Sequence, residues 1–139
     1  MPVDVQPTVL IAAGDYFNGD EAVAHRVLSL LGSPSRVAMY DVLQWSGDLA
    51  PKIAAAEEVV FVGADPQLGE PWMEPLDGRT PAGRIVDSAR RYYDFHGRAY
   101  VCHVPGLEFT RRSIGLTAYA ESRARQAANL IRRFLGATA

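Results

Sequence analysis

Acidic side chains follow the first and the third apolar run of the sequence. Asp15, Asp20 and Glu21 come shortly after the first run, and Asp65 comes directly after the third, which is the most apolar. Carboxylates can hold a hard cation or transfer protons in hydrolysis. If the two runs are neighbouring parallel strands, these groups crowd at one edge of a sheet, where like charges repel unless a cation or protons neutralise them. The spacing predicts a functional acidic site, the alternative being acids that only stabilise a helix N-terminus.

The elements that would position these acids alternate between strand and helix. Apolar runs predict four strands, over 8–12, 36–42, 58–64 and 98–104, and at most one edge strand over 72–76. Amphipathic segments predict four helices, over 20–31, 46–56, 80–95 and 116–135. This alternation indicates an α/β fold, a three-layer, doubly wound, mostly parallel sheet with helices on both faces. Such sheets bind ligands at the carboxyl ends of their strands.

Length and composition exclude several classes of protein. The 139 residues are expected to form a single domain, 1–139. The net charge of −2 argues against a nucleic-acid partner, which would need many surplus cations. No apolar stretch reaches the ~18 residues that a membrane span needs, and the first residues lack the basic start of a secretory signal, so we expect a cytoplasmic protein with no membrane partner.

The first loop, which follows the first predicted strand, lacks the features of the common ligand sites of α/β sheets. The turn Ala12-Ala13-Gly14 lacks the Gly-x-Gly-x-x-Gly pattern of dinucleotide sites, and no phosphate-binding GxxxxGK[ST] motif is present. Acids in that loop would also repel the phosphate of a flavin mononucleotide. A phospho-accepting receiver domain remains an alternative, since it uses acids after the first strand and an Asp after the third. The predicted strand 98–104, however, offers no lysine at its end.

The histidines, the cysteine and the tryptophans have structural interpretations. Cys102 and His103 lie inside a predicted strand and are expected to pack on opposite faces of the sheet. His25 falls in the middle of a predicted helix, where a surface or capping residue is expected. Trp45 and Trp72 flank the acidic edge and either cover the core or anchor a partner.

The segment 9–31 resembles the N-terminal segment of the [NiFe]-hydrogenase maturation proteases. Their pattern is a strand, Gly-x-Gly-Asn, four residues, and then Asp-Asp/Glu at the start of a helix. Here Gly14-Asp15 stands at the glycine-asparagine position and Asp20-Glu21 at the acid pair, with the same spacing. The segments 42–50 and 59–65, and the order of the remaining elements, are similar to the family as well.

The resemblance implies an endopeptidase that removes the C-terminal extension of a hydrogenase large-subunit precursor. In that family a Glu, an Asp and a His sense nickel in the precursor, so nickel is expected through the substrate rather than as a resident cofactor. Glu21 matches the glutamate, and Gly63 stands at the aspartate position. The histidine has no counterpart, and Asp77 is the nearest match to it.

The expected metal ligands are therefore Glu21, with Asp65 and Asp77 as substitutes. Asp15, Asp20 and Asp41 are expected as supporting polar groups, and water is expected to attack the scissile bond. Carboxylates without an imidazole favour a harder cation than nickel, or none. The alternative function is therefore an inactive relative that serves as a scaffold for a hydrogenase or a related assembly protein.

Overall fold

The fold is built on a five-stranded, mostly parallel sheet. The computed structural model describes residues 7–109 and 115–138. The strands are β1 (Thr8–Ala13), β2 (Val37–Val42), β3 (Glu58–Asp65), β4 (Trp72–Pro75) and β5 (Arg98–Pro105). They stand in the order β2-β1-β3-β5-β4, in which β4 is antiparallel to β5 and the other pairs are parallel. This arrangement confirms the α/β prediction, including its edge strand.

Helices cover both faces of this sheet. The helices are α1 (Val23–Leu31), α2 (Ala50–Ile53), α3 (Pro81–Tyr92) and α4 (Ala118–Thr138), and short 3-10 turns over Gly19–Ala22 and Gly47–Leu49 lead into α1 and α2. Successive side chains of a strand point to opposite faces, so each strand feeds two apolar layers. Val60 and Val62 of β3 pack with α1 and α4, whereas Val59 and Phe61 pack with α2 and α3. The three-layer prediction is therefore confirmed.

The direction in which successive strands are added to the sheet reverses after β2. The chain moves from β1 outward to β2, crosses back over β1 to β3, and then continues towards β5. The carboxyl ends of β1 and β3 are therefore neighbours at the switch in strand order, where sheets of this kind bind ligands. The first loop follows β1 at this point, and Asp65 ends β3.

Helix α3 begins where it was predicted to begin, but it ends earlier than predicted. Thr80 caps α3 as expected, because its side chain accepts a hydrogen bond of 3.0 Å from the amide of Gly83. The helix ends at Tyr92 rather than near Phe95, since Asp94 adopts a left-handed conformation with φ of 61°. Phe95 is then free to enter the core, where it is buried.

Cys102 is a core residue, as predicted. It is fully buried in the layer under α1 and α4, and burial raises the pKa of its thiol to about 12. A thiol in this state is neither a nucleophile nor a metal ligand at neutral pH. Within residues 7–109 and 115–138 no helix has the length and apolar character to cross a membrane.

Candidate functional site

The first loop folds tightly against the end of β1. Gly14 has a φ of 153°, and a Cβ atom there would overlap the carbonyl oxygen of Glu21. Its amide hydrogen bonds to the carbonyl oxygens of Val42 and Leu43, 3.2 and 3.1 Å away, at the end of β2. Glycine at this position therefore lets the backbone of Glu21 approach the carboxyl end of the sheet.

Glu21 is held inside this loop. Its Oε1 accepts a hydrogen bond of 3.2 Å from the amide of Asp15, and its Oε2 accepts one of 3.4 Å from the side-chain amide of Asn18. Asp15 in turn accepts a hydrogen bond of 2.9 Å from the amide of Phe17. The carboxylates of Glu21 and Asp15 thus lie side by side at the edge, each with donors around it.

Asp20 has a structural role that the sequence did not reveal. It is fully buried, and its carboxylate accepts hydrogen bonds of 2.7 to 2.9 Å from the amides of Leu107 and Glu108 and from the amide and hydroxyl of Thr117. Burial raises the pKa of Asp20, but these hydrogen bonds outweigh burial and leave the pKa below its usual value. Asp20 therefore fastens the first loop to the chain between β5 and α4 and has no group free for a ligand.

This fastening places the first loop and Asp65 at the same edge. Gly106 donates its amide to the carbonyl oxygen of Asp65 at 3.0 Å, and a Cβ atom on Gly106 would lie 2.9 Å from the Cβ of Asp20. The segments that carry Asp20 and Asp65 therefore lie next to each other at the carboxyl edge of the sheet.

His103 lies on the opposite face of the sheet from Cys102, as expected, and its imidazole also contacts two carboxylates. Its Nδ1 lies 3.2 Å from Oδ2 of Asp65, and its Nε2 lies 2.7 Å from Oε2 of Glu74. The indole of Trp72 stacks on the imidazole with 4.4 Å between ring centres. The antiparallel pairing of β4 with β5 supplies both Glu74 and Trp72. His103 thus joins two carboxylates near the carboxyl end of β5.

A cleft of about 410 Å³ opens beside His103. Asp65 and Asp77 line it, together with Glu74 and the indole of Trp45. Asp77 also binds Arg79, whose amide donates to Oδ1 at 2.9 Å, and this contact lowers the pKa of Asp77. Asp65 and Asp77 therefore line the same cleft, whereas the side chain of Glu21 is held in the first loop and does not line it.

The position of Gly63 in this cleft is filled by Trp45. A Cβ atom on Gly63 would lie 2.8 Å from the indole ring. The ring meets Phe61 edge-on, with 5.4 Å between centres, and its Nε1 donates to the carbonyl oxygen of Ile11 at 3.3 Å. A carboxylate at residue 63 would need this indole to move.

The expected metal ligands are not gathered into one group. Among the described residues, no three His, Cys, Asp or Glu side chains are arranged to hold a metal ion. Glu21 binds donors of its own loop, Asp65 binds His103, and Asp77 binds Arg79. The donor set of Glu21, Asp65 and Asp77 therefore does not form a metal centre in this structure.

His25 is a second histidine whose surroundings differ from the expectation. It is buried rather than on the surface, with Nδ1 at 2.7 Å from Oδ1 of Asp41 and Nε2 at 2.9 Å from the carbonyl oxygen of Gly14. Tyr16 stacks on its ring with 4.4 Å between centres. Burial, and secondly the charge of Asp41, raise the pKa of Tyr16. Asp41 thus supports the edge indirectly, through His25 and the first turn.

The overall fold is that of known maturation endopeptidases. Solved structures with the same fold include the hydrogenase maturating endopeptidase HybD from E. coli (TM-score 0.76, 18% identity, 94% of this chain and 93% of that one) and the [NiFe] hydrogenase maturation protease HycI from Thermococcus kodakarensis KOD1 (0.75, 19%, 94% and 93%). An uncharacterized protein from Wolinella succinogenes is also similar (0.74, 21%, 96% and 99%). No protein-family model and no curated protein sequence matches the chain. The chain therefore shares the architecture of these endopeptidases over nearly its whole length.

Proposed function

We propose that the protein is a hydrogenase maturation endopeptidase, which removes the C-terminal extension of a [NiFe]-hydrogenase large-subunit precursor in the cytoplasm. The observation that carries this proposal is the similarity of the whole fold to solved structures that are named as hydrogenase maturation endopeptidases. The position of Glu21 and of the Asp65–His103 pair at the carboxyl edge supports it, because this is where such sheets bind ligands.

Water is the nucleophile in this proposal. Cys102 is buried and protonated, and His103 is the side chain best placed to take a proton from water in the cleft. Nδ1 of His103 lies 3.2 Å from Asp65, while Nε2 lies 2.7 Å from Glu74, whose side chain is 52% exposed. When Glu74 turns away, a neutral imidazole that keeps its proton on Nδ1, facing Asp65, leaves Nε2 unprotonated, so that Nε2 can accept a proton from the attacking water and then pass it to the leaving amine.

Nickel belongs to the precursor in this proposal. Among the described residues no three His, Cys, Asp or Glu side chains are arranged to hold a metal ion. Glu21 and Asp15 are instead available to contact the precursor beside the cleft, since both carboxylates are only partly buried.

The test is cleavage of a purified large-subunit precursor, prepared with and without nickel and followed by intact mass. Wild-type protein is expected to shorten it. We expect His103→Gln to slow cleavage by about 10²-fold or more, because a proton-transferring group is lost. Glu21→Gln should also slow it, whereas Glu57→Gln, an exposed carboxyl group before β3, should not. An unchanged precursor mass with wild-type protein would refute the proposal.

A second candidate function is binding of a hydrogenase subunit without cleavage. The packing of Trp45 against Gly63 favours it, because the indole fills the place at which the resemblance puts a ligand. In this case the precursor would co-elute with wild-type protein in size-exclusion chromatography and keep its full mass. The same precursor sample therefore distinguishes the two functions.

A further inference from the structure

Large apolar side chains are exposed in the loops at the carboxyl edge. They are Tyr16 and Phe17 after β1, Leu43 after β2, Leu68 after β3 and Leu107 after β5, with exposed fractions between 54% and 66%. A single exposed leucine is ordinary, but a series of exposed apolar side chains along one edge marks a site of interaction. In the described part of the chain, the other large exposed hydrophobic residues are Tyr92 and Tyr93, at the end of α3.

The backbone that carries these side chains is fixed by hydrogen bonds. The amide of Phe17 donates to Asp15, and the amide of Leu107 donates to buried Asp20 at 2.8 Å. On either side of Leu68, the amide of Gln67 donates to Asp65 and the amide of Gly69 to the hydroxyl of Tyr119, both at 2.8 Å. Apolar side chains on a fixed backbone lose little entropy when they bind a partner.

The charge of the same edge is negative. The described loops and strand ends there, 14–22, 41–49, 65–71 and 105–109, contain no lysine or arginine, although Arg111 and Arg112 follow outside the described residues. Apart from buried Asp20, their carboxylates are Asp15, Glu21, Asp41, Asp48, Asp65, Glu70 and Glu108. An acidic surface with apolar side chains is complementary to a polypeptide that carries both basic and apolar side chains.

We propose that this edge is a docking surface for a basic segment of a partner polypeptide, whose large apolar side chains pack among Tyr16, Phe17, Leu43, Leu68 and Leu107. The inference deepens the proposed function and rests on it for the identity of the partner, since it concerns how a substrate or subunit is held at the same edge. The surface itself is tested by binding alone.

The test is the binding of three fluorescein-labelled synthetic peptides, measured by fluorescence anisotropy. The first peptide places three arginines and three leucines in a Gly/Ser background. The second has glutamate in place of each arginine, and the third has serine in place of each leucine. The first peptide should bind and the other two should bind at least about tenfold more weakly, because each lacks one of the two complementary features.

Matched variants locate the binding site. Phe17→Ser with Leu43→Ser should weaken binding of the first peptide about tenfold or more, because both apolar contacts are lost. Tyr92→Ser with Tyr93→Ser, which removes exposed aromatic rings elsewhere, should leave binding unchanged. Circular dichroism confirms that each pair folds, which is expected because the four side chains are exposed.

Three results would overturn the docking proposal: equal loss in both pairs of variants, equal binding of the glutamate peptide, or no binding at all. Sedimentation of the wild-type protein alone can give a fourth result that would overturn the proposal. If it dimerises, and Phe17→Ser with Leu43→Ser abolishes the dimer, then the occupant is a second copy. Because no cleavage is measured, failure here leaves the endopeptidase proposal standing, and failed cleavage of the precursor leaves this surface standing.

Discussion

Two acids of the first loop, Asp20 and Glu21, are neighbours in sequence but differ in their surroundings. Asp20 is buried and accepts hydrogen bonds from Leu107, Glu108 and Thr117, whereas Glu21 is partly buried and accepts hydrogen bonds from donors of its own loop. A carboxylate surrounded by backbone donors stabilises the fold, and a carboxylate with spare acceptor capacity can bind a partner. The structure therefore separates two acids that the sequence presents as one pair.

Asp20 should therefore contribute to stability in a way that depends on pH. Asp20→Asn presents an amide NH₂ to hydrogen-bond donors, so we expect it to lower the free energy of unfolding by about 3 kcal/mol at pH 7. Because the folded-state pKa of Asp20 is lowered, its contribution is present above the unfolded-state pKa near 3.8 and is lost as pH falls through the folded-state value. Urea denaturation of wild type and variant from pH 7 to pH 3 measures the difference, which should shrink at the acid end. Asp87→Asn, an exposed position on α3, is the control.

Trp45 and Gly63 make a contact that can be measured by a double-mutant cycle. Gly63→Ala brings a methyl group against the indole and should cost about 1 kcal/mol of unfolding free energy. In the Trp45→Ala background the same change should cost less, because the ring is absent. Urea denaturation of the four proteins gives the coupling energy. A cost that is the same in both backgrounds would show that the indole does not fill this place in solution.

At the scale of elements, the site depends on two places where one segment of the chain lies close against another. The first turn lies against β1 and β2 through the amide of Gly14, and the chain after β5 is fastened to the first loop by Asp20. The short antiparallel strand β4 then brings Glu74 and Trp72 against His103. Hydrogen bonds thus hold each of these segments against a neighbouring segment or strand. The position of every site residue therefore depends on contacts between at least two elements.

Gly14→Ala tests the first of these approaches. The new methyl group would overlap the carbonyl oxygen of Glu21, a backbone atom that cannot move without the loop, so we expect a loss of about 3 kcal/mol or more in unfolding free energy. Gly32→Ala is the matched control. Gly32 also has a positive φ, of 73°, but open space around it, so its cost should be only about 1 kcal/mol. Similar losses in urea denaturation would contradict the close approach.

At the scale of the whole molecule, the period of the apolar residues was sufficient to predict the layers and the edge at which acids collect. The runs at β1, β3 and β5 are continuous because both of their faces are covered, and α4 buries the stripe Ala120, Ala124, Ala127 and Ile131 against the sheet. The surroundings of His25 and His103 could not be predicted in this way, because their partners come from distant segments. The position of His103 near the carboxyl end of a strand was the available signal, and its contact with Glu74 depends on the register of β4.

The absence of a gathered metal centre in residues 7–109 and 115–138 predicts how the untagged protein responds to metal. A ligand that binds only the folded state raises its stability, by about 2.7 kcal/mol at one hundred times the dissociation constant, and this shifts the midpoint of thermal unfolding by several degrees. We therefore expect Ni²⁺ or Zn²⁺ at about tenfold molar excess to change Tm by less than about 1 °C relative to protein treated with EDTA. A rise of several degrees that Glu21→Gln abolishes would instead restore Glu21 as a ligand and show that the loop and the cleft rearrange to gather the expected carboxylates. A rise in Tm that Glu21→Gln does not affect would place the metal on other residues. Only a rise that this substitution abolishes would support a metal-sensing mechanism for this chain.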